Sequence, residues 1–163
     1  MIPLNILGIA NGYRVDDIVW RGAQPEDAAW PLLAAAGCKR AIDLNSTRNQ
    51  AQRQCGLATA AGIGYLAVQW NGILPPSVAQ VQFVLGQMDG TGGEVIQRGA
   101  PVFVHCLHGS DRTGTLCACW RIHHDGWDFE DAMEEAFTAL GLQGMHEFWM
   151  AAAVAEFAER KRQ

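Results

Sequence analysis

The chain has no excess of basic residues. Lys and Arg number 12 against 17 Asp and Glu, for a net charge of −5. A nucleic-acid binder needs a basic face, so that class of partner is set aside, although a local cationic pocket for an anion is not. Long apolar runs are also missing. The longest, such as "AWPLLAAAG", fall far short of the roughly 20 residues that span a bilayer. The start, "MIPLNILGIANGYR", has no basic n-region and no cleavage site, so neither a leader nor a membrane anchor is expected. There is no internal repeat, low-complexity segment or linker. A disulfide framework is absent too: five cysteines, an odd number, lie scattered through 163 residues, which fits unpaired thiols and a reducing, cytoplasmic setting.

What remains is an ordinary globular composition, 49% apolar and 18% charged, of a length that suits one domain over residues 1–163 with one sizeable core. Strand-like and helix-like stretches alternate. "YRVDDIVWRG" reads as strand edges around a turn. "PEDAAWPLLAAAG" reads as a helix opening near Pro25 and ending at Gly37, with Pro31 able to move its start. "KRAIDLN" and "GYLAVQW" read as strands, and "STRNQAQRQCGLATAAG" as helical in its later part. "PPSVAQVQFVLGQM" carries a capping-box spacing, Ser77 to Gln80, and an apolar stripe at Val78, Val81, Val84 and Leu85. "DGTGGEVIQRGA" reads as a Gly-rich loop and "PVFVHC" as the clearest strand. Helices follow over 112–125, 128–140 and 145–160. One face of the second carries Ala132, Met133, Ala136, Phe137 and Leu140; one face of the third carries Phe148, Trp149, Ala152 and Phe157. This order predicts an α/β fold: a central, mainly parallel sheet flanked by helices.

In such folds ligands bind at the carboxyl ends of strands, beside helix N-termini. "VFVHCLHGSDRTGTL" places Cys106 at such an end and Arg112 at the start of a helix. The loop between them can turn backbone N–H groups inward as an anion cradle. Gly109 permits the tight turn, and the planar guanidinium of Arg112 matches two phosphate oxygens at once. Helix N-termini and cationic neighbours bring thiol pKa values from ~8.5 to roughly 3.5–7.5, which favours a thiolate nucleophile. Thr113 is placed to donate to the sulfur. His105 reads as a buried organiser of the loop. A zinc site among His105, Cys106, His108, Cys117, Cys119, His123 and His124 does not fit the usual paired spacings, since Cys117 and Cys119 point to different faces of one helix.

"HCLHGSDRTG" resembles the H-C-x5-R-[ST] signature of the protein tyrosine phosphatase superfamily, in its dual-specificity branch and atypical bacterial and fungal relatives. "YRVDDIVWRGAQPEDAAWPLLAAAGCKRAIDLN" is similar to that branch's R-S-x-Q-P turn, helix and following strand. "WRIHHDGWDFEDAMEEAF" is similar to its helix pair after the loop. The resemblance covers Tyr13 to about Leu140. It implies metal-free, cofactor-free hydrolysis of a phosphomonoester through a phosphocysteine, with Cys106 as nucleophile, Arg112 as clamp and the loop residues Leu107, His108, Gly109, Ser110 and Thr113 around the phosphate. The implied partner is a phosphorylated protein or a small phosphomonoester, met by a monomer.

The chain departs from the family at the general acid. The family's aspartate lies on the loop that here reads "QWNGILPPS", which has no carboxylate; Asn71 stands near the expected slot. Asp111, inside the anion loop, and Asp43, at a neighbouring strand end, are the replacement candidates, with a capping role the alternative for Asp43. Two further readings stay open: a substrate with a good leaving group, and a phosphate-binding pseudo-enzyme. Protein phosphates, inositol phosphates and nucleotides are all admissible substrates. His108 lines the pocket or faces solvent, Cys55 is a resolving thiol or a packed helix residue, Arg48 and Arg53 help recognise an anionic substrate or form a solvated helix face, and Trp70 flanks the pocket mouth.

Overall fold

Side chains alternate across a strand, and along Val102–Cys106 (β6) this alternation sorts the molecule into two cores. In the computed structural model, Val102, Val104 and Cys106 enter one apolar cluster and Phe103 the other. The structure describes residues 1–45, 47–71, 73–92, 100–138 and 145–162, the side chains of 137–138 and 145–149 excepted.

The other strands are β1 (Ile2–Pro3), β2 (Tyr13–Arg14), β3 (Val19–Ala23), β4 (Arg40–Asp43) and β5 (Gly64–Ala67). They form one sheet in the order β1-β2-β3-β6-β4-β5. The β3–β6, β6–β4 and β4–β5 pairings are parallel, while β1–β2 and β2–β3 are antiparallel. The α/β expectation of a mainly parallel central sheet therefore holds. β6 runs between β3 and β4 with Ala23 opposite Cys106 and Asp43 opposite His105, so three carboxyl ends share one edge.

Helices α1 (Ala29–Ala35) and α2 (Arg48–Ala60) cover the face that holds Trp20, Trp30, Leu33, Ala41, Ala58 and Phe103. Helices α3 (Val78–Asp89), α4 (Asp111–Trp120), α5 (Phe129–Thr138) and α6 (Met145–Lys161) cover the other. The predicted cap of α3 is present: Ser77 Oγ accepts from Gln80 N at 3.3 Å and Gln80 Oε1 accepts from Ser77 N at 2.9 Å. Between α4 and α5 the helix widens to a π-turn over Arg121–Asp125, closed by Gly126 at φ 72°. No helix among the described residues is long and apolar enough to cross a membrane.

Several sequence expectations are corrected. The helix expected from Pro25 begins at Ala29, which leaves Pro31 in the first turn, where its missing N–H is harmless. The segment expected to be helical only late is helical from Arg48. The helix expected from Arg112 begins one residue earlier. On α6, Ala152 is exposed; Met150, Ala153, Val154, Phe157 and Ala158 form the buried stripe, an i, i+3, i+4, i+7, i+8 pattern. The expected packing of Phe137, Leu140, Phe148 and Trp149, and most of the Gly-rich loop after Asp89, lie outside the described residues.

Candidate active site

Cys106 ends β6 with 2% of its surface exposed, and Arg112 stands in the first turn of α4. Gly109 adopts φ +72°, and a Cβ there would collide with the main chain of Gly22 and Ala23. The loop between strand and helix is thus pressed backbone-to-backbone onto the end of β3, a contact only glycine permits. Ser110 occupies the N-cap position of α4 without a capping side-chain bond, so the orphan amides of the first turn stay free for a ligand.

Donors on neighbouring elements hold the loop from outside. Gln24 N donates to Leu107 O (3.3 Å), Asn11 Nδ2 to His108 O (2.8 Å) and Arg21 Nη2 to Gly109 O (2.5 Å). Arg112 Nη1 lies 3.4–3.5 Å from the carbonyls of Leu44, Asn45 and Trp70. Its Nε and Nη2 make no hydrogen bond with a described residue, which leaves the two-nitrogen edge of the guanidinium open to an anion.

On the opposite face of the sheet, His105 is fully buried beside Phe103, Trp30 and Tyr65, at ring-centroid distances of 5.7–6.3 Å. Burial holds its imidazole below the ordinary range, against the pull of Asp43 and the Cys106 main chain. The 3.8 Å approach of Nδ1 to Asp43 Oδ1 is therefore a neutral ring beside a carboxylate rather than a salt bridge. Asp43 Oδ1 also accepts from Asn45 N (2.8 Å) and Oδ2 from the Tyr65 hydroxyl (2.6 Å). Burial and the neighbouring Asp43 both push the Tyr65 phenol up, so it remains a donor.

Comparison with known proteins decides the family. Residues 10–149 match the family model described as DSP-PTPase phosphatase fused to NAD+ kinase. The chain belongs to the dual-specificity branch of the protein tyrosine phosphatase superfamily. It is 42% identical over 137 residues to the dual specificity protein phosphatase TpbA of Pseudomonas aeruginosa strain UCBPP-PA14, an alignment covering 77% of this chain and 52% of that one. It thus spans about half the length of the curated relative. Tk-PTP in its G-to-A mutant form superposes with a TM-score of 0.77 at 20% identity, over 93% of this chain and 96% of the other. A crystal structure of P. aeruginosa TpbA, a Cys-to-Ser form in complex with pTyr, superposes with a TM-score of 0.71 over 94% and 91%. Its identity of 23% in that wider superposition is lower than in the sequence alignment, and it is taken as likeness of fold alone.

Within this dual-specificity phosphatase domain the sequence-predicted residues fall into distinct positions. Cys106, Arg112, Thr113 and the 107–110 loop share one strand–helix junction. Leu107 and His108 are exposed, Gly109 is buried, and Thr113 is fully buried with its hydroxyl unpartnered among the described residues. Asp111 is half-buried and its carboxylate makes no hydrogen bond with a described residue. Asp43 is committed to Tyr65 and the main chain, on the far side of the sheet from Cys106. Asn71 is exposed and turned back on its own loop, where Oδ1 accepts from Ile73 N and Leu74 N. Arg53 pairs at the surface with Asp27. Cys117 and Cys119 are buried helix residues, and Trp70 is buried at the rim.

Sequence reasoning assigned no role to Arg21, Asn11, Gln24 or Tyr65. Arg21 and Gln24 lie in "WRGAQP", the stretch matched to the family's R-S-x-Q-P turn, which was the available signal. Asn11 had none except its residue type, which tolerates the φ of +52° it adopts.

Proposed function

We propose that the chain is a cysteine-dependent phosphomonoester hydrolase of the dual-specificity type, acting on a phosphorylated protein or small phosphomonoester without metal or cofactor. The observation that carries this is the junction itself: a buried Cys106 at a central strand end, a loop of free amides, and an open guanidinium edge on Arg112. The Cys106 sulfur attacks phosphorus in line, and the bond from phosphorus to the ester oxygen breaks. The leaving oxygen takes a proton from Asp111, the unengaged carboxyl beside the clamp. The loop amides and Arg112 bear the equatorial oxygens. Water then attacks the phosphocysteine, giving its proton back to Asp111. The sulfur leaves with the Thr113 hydroxyl as donor, and inorganic phosphate departs. The 42% identity to the dual specificity protein phosphatase TpbA supports a phosphorylated side chain as substrate. The same reading includes a monomer in a reducing, cytoplasmic setting, supported for the compartment by cysteines that are all unpaired.

A second reading, a phosphate-binding protein with little turnover, draws on the absence of a carboxylate from the loop around Asn71. One experiment separates the two. A panel of phosphomonoesters, hydrolysed with EDTA present, should release phosphate and show an acid-stable phosphoprotein on rapid quench. Phosphate binding with no release on any substrate would favour the second reading.

A further inference from the structure

The carbonyls of Leu107, His108 and Gly109 each accept a hydrogen bond from outside the loop. None of the described peptides is cis, and in a trans peptide the C=O and the next N–H point in opposite directions. A donor that holds the Leu107 carbonyl outward therefore turns the His108 N–H inward. Asn11 does the same for the Gly109 N–H, and Arg21 for the Ser110 N–H. Successive inward amides make an anion-binding nest. Its conformation here is maintained by residues 88 and 97 positions away in the chain.

Arg21 stands out for a second reason. Its side chain is fully buried, and among the described residues it has no acidic partner within ion-pair distance and its Nε and Nη1 have no hydrogen-bond partner. The group beside it from α4 is Cys117, whose thiol is pushed up by burial and so supplies no negative charge. A buried cation without a counter-charge is costly to the folded state. A phosphoryl dianion on the other side of the loop would offset that cost.

We propose that Arg21 and Asn11 are positioning residues of the phosphate site. They act through the outer carbonyls of the loop, and Arg21 also places a buried positive charge behind it. This rests on the reading that the loop binds phosphate. Neither residue touches the substrate.

The test is titration of phosphate and orthovanadate into the full chain by calorimetry, with thermal unfolding in phosphate-free buffer. Arg21→Met should weaken vanadate binding about ten- to a hundredfold, the range expected for losing a hydrogen bond to a charged group. Its Tm without oxyanion should be unchanged or higher, because an apolar side chain removes the uncompensated charge. Arg21→Lys, which keeps the charge and one donor, should recover much of the affinity. A purely structural role would lower Tm and leave affinity intact. Undiminished affinity in a folded Arg21→Met would overturn the inference.

Should Arg21→Met fail to fold, the exposed Asn11 decides. Asn11→Gly keeps the positive φ and removes the donor, and Asn11→Asp sets an acceptor against the His108 carbonyl. Affinity falling in the order wild type, Asn11→Gly, Asn11→Asp supports the proposal, and equal affinity in all three sinks it. A wild-type chain that binds neither oxyanion would instead remove the phosphatase reading, and this inference with it.

Discussion

Asp43 and His105 lie side by side in adjacent parallel strands, with Oδ1 3.8 Å from Nδ1 and both side chains fully buried. Burial among aromatic rings keeps the His105 imidazole neutral against the pull of Asp43, and the ring stands on the face of the sheet opposite Cys106. What keeps Asp43 in place is the hydroxyl of Tyr65. Tyr65→Phe leaves a buried carboxylate oxygen without its donor. The expected loss is about 1–3 kcal/mol of stability, read from urea unfolding, with a smaller effect on kcat than on the unfolding midpoint.

Cys106→Ser should abolish turnover while orthovanadate or phosphate still binds, because the cradle is made of main chain and Arg112 rather than sulfur. Rapid-quench labelling should show the phosphoprotein in wild type and none in the variant. Normal turnover by the serine form would remove covalent catalysis.

Arg112→Lys replaces a two-nitrogen edge by a point charge. The carbonyls of Leu44, Asn45 and Trp70 that steady Nη1 would also lose their geometry. The expected reduction in kcat/KM corresponds to about 3–5 kcal/mol of transition-state stabilisation, at or above that of one strong oxyanion donor. This contrasts with the tolerance expected of Arg21→Lys, where a single donor is used.

The acid is tested by leaving group. General acid help is worth roughly 10²–10⁴-fold, so Asp111→Asn should slow alkyl phosphates far more than activated aryl ones and remove the alkaline limb of the pH–rate profile. Asn71→Asp should leave the aryl-to-alkyl ratio unchanged, since either side chain can accept from Ile73 N and Leu74 N. An equal slowing of both substrate classes in Asp111→Asn would reduce that residue to a structural role. A gain on alkyl substrates in Asn71→Asp would return the acid's slot to that loop.

A stability prediction concerns Arg121, which donates to Glu135 and Asp125 and lies 4.5 Å over the ring of Trp127. Burial opposes ionisation of both carboxyls, but their hydrogen bonds to Arg121 outweigh it and hold them below the usual carboxylate range. Below about pH 4, the ordinary carboxylate value, the unfolded chain therefore takes up more protons than the folded one. This part of the stability is present above that pH and is lost as pH falls through the depressed folded values. Arg121→Met should flatten the acid limb of unfolding midpoints measured from pH 6 down to pH 2.

What was legible in the sequence was local. Cys106, Gly109, Arg112 and the start of α4 lie within a few residues of one another, so a short pattern marks the whole junction. The capping box of α3 is likewise a three-residue signal. Contacts formed across the sheet were not legible. Nothing near Arg21 states that it meets a carbonyl 88 positions later, and Tyr65 meets Asp43 only because β4 and β5 align in parallel. Asn71 was read by its place on the loop where the family carries its aspartate, whereas its side chain accepts from the amides two and three residues on. Ala152 was misplaced because alanine carries almost no periodic signal of its own.

The order of strands bears on how the site comes into being. β3 and β4 never pair with each other; both pair with β6, which is made about 60 to 80 residues later. Until β6 is made, β3 and β4 each have an edge that lacks its final partner. Such edges are templates for illicit pairing, and pairing across so long a stretch of chain is slow. The polypeptide therefore passes through a stage of synthesis at which five of its six strands have been made and Cys106 has not. At that stage the need for a chaperone, or for rapid translation through β6, would be greatest.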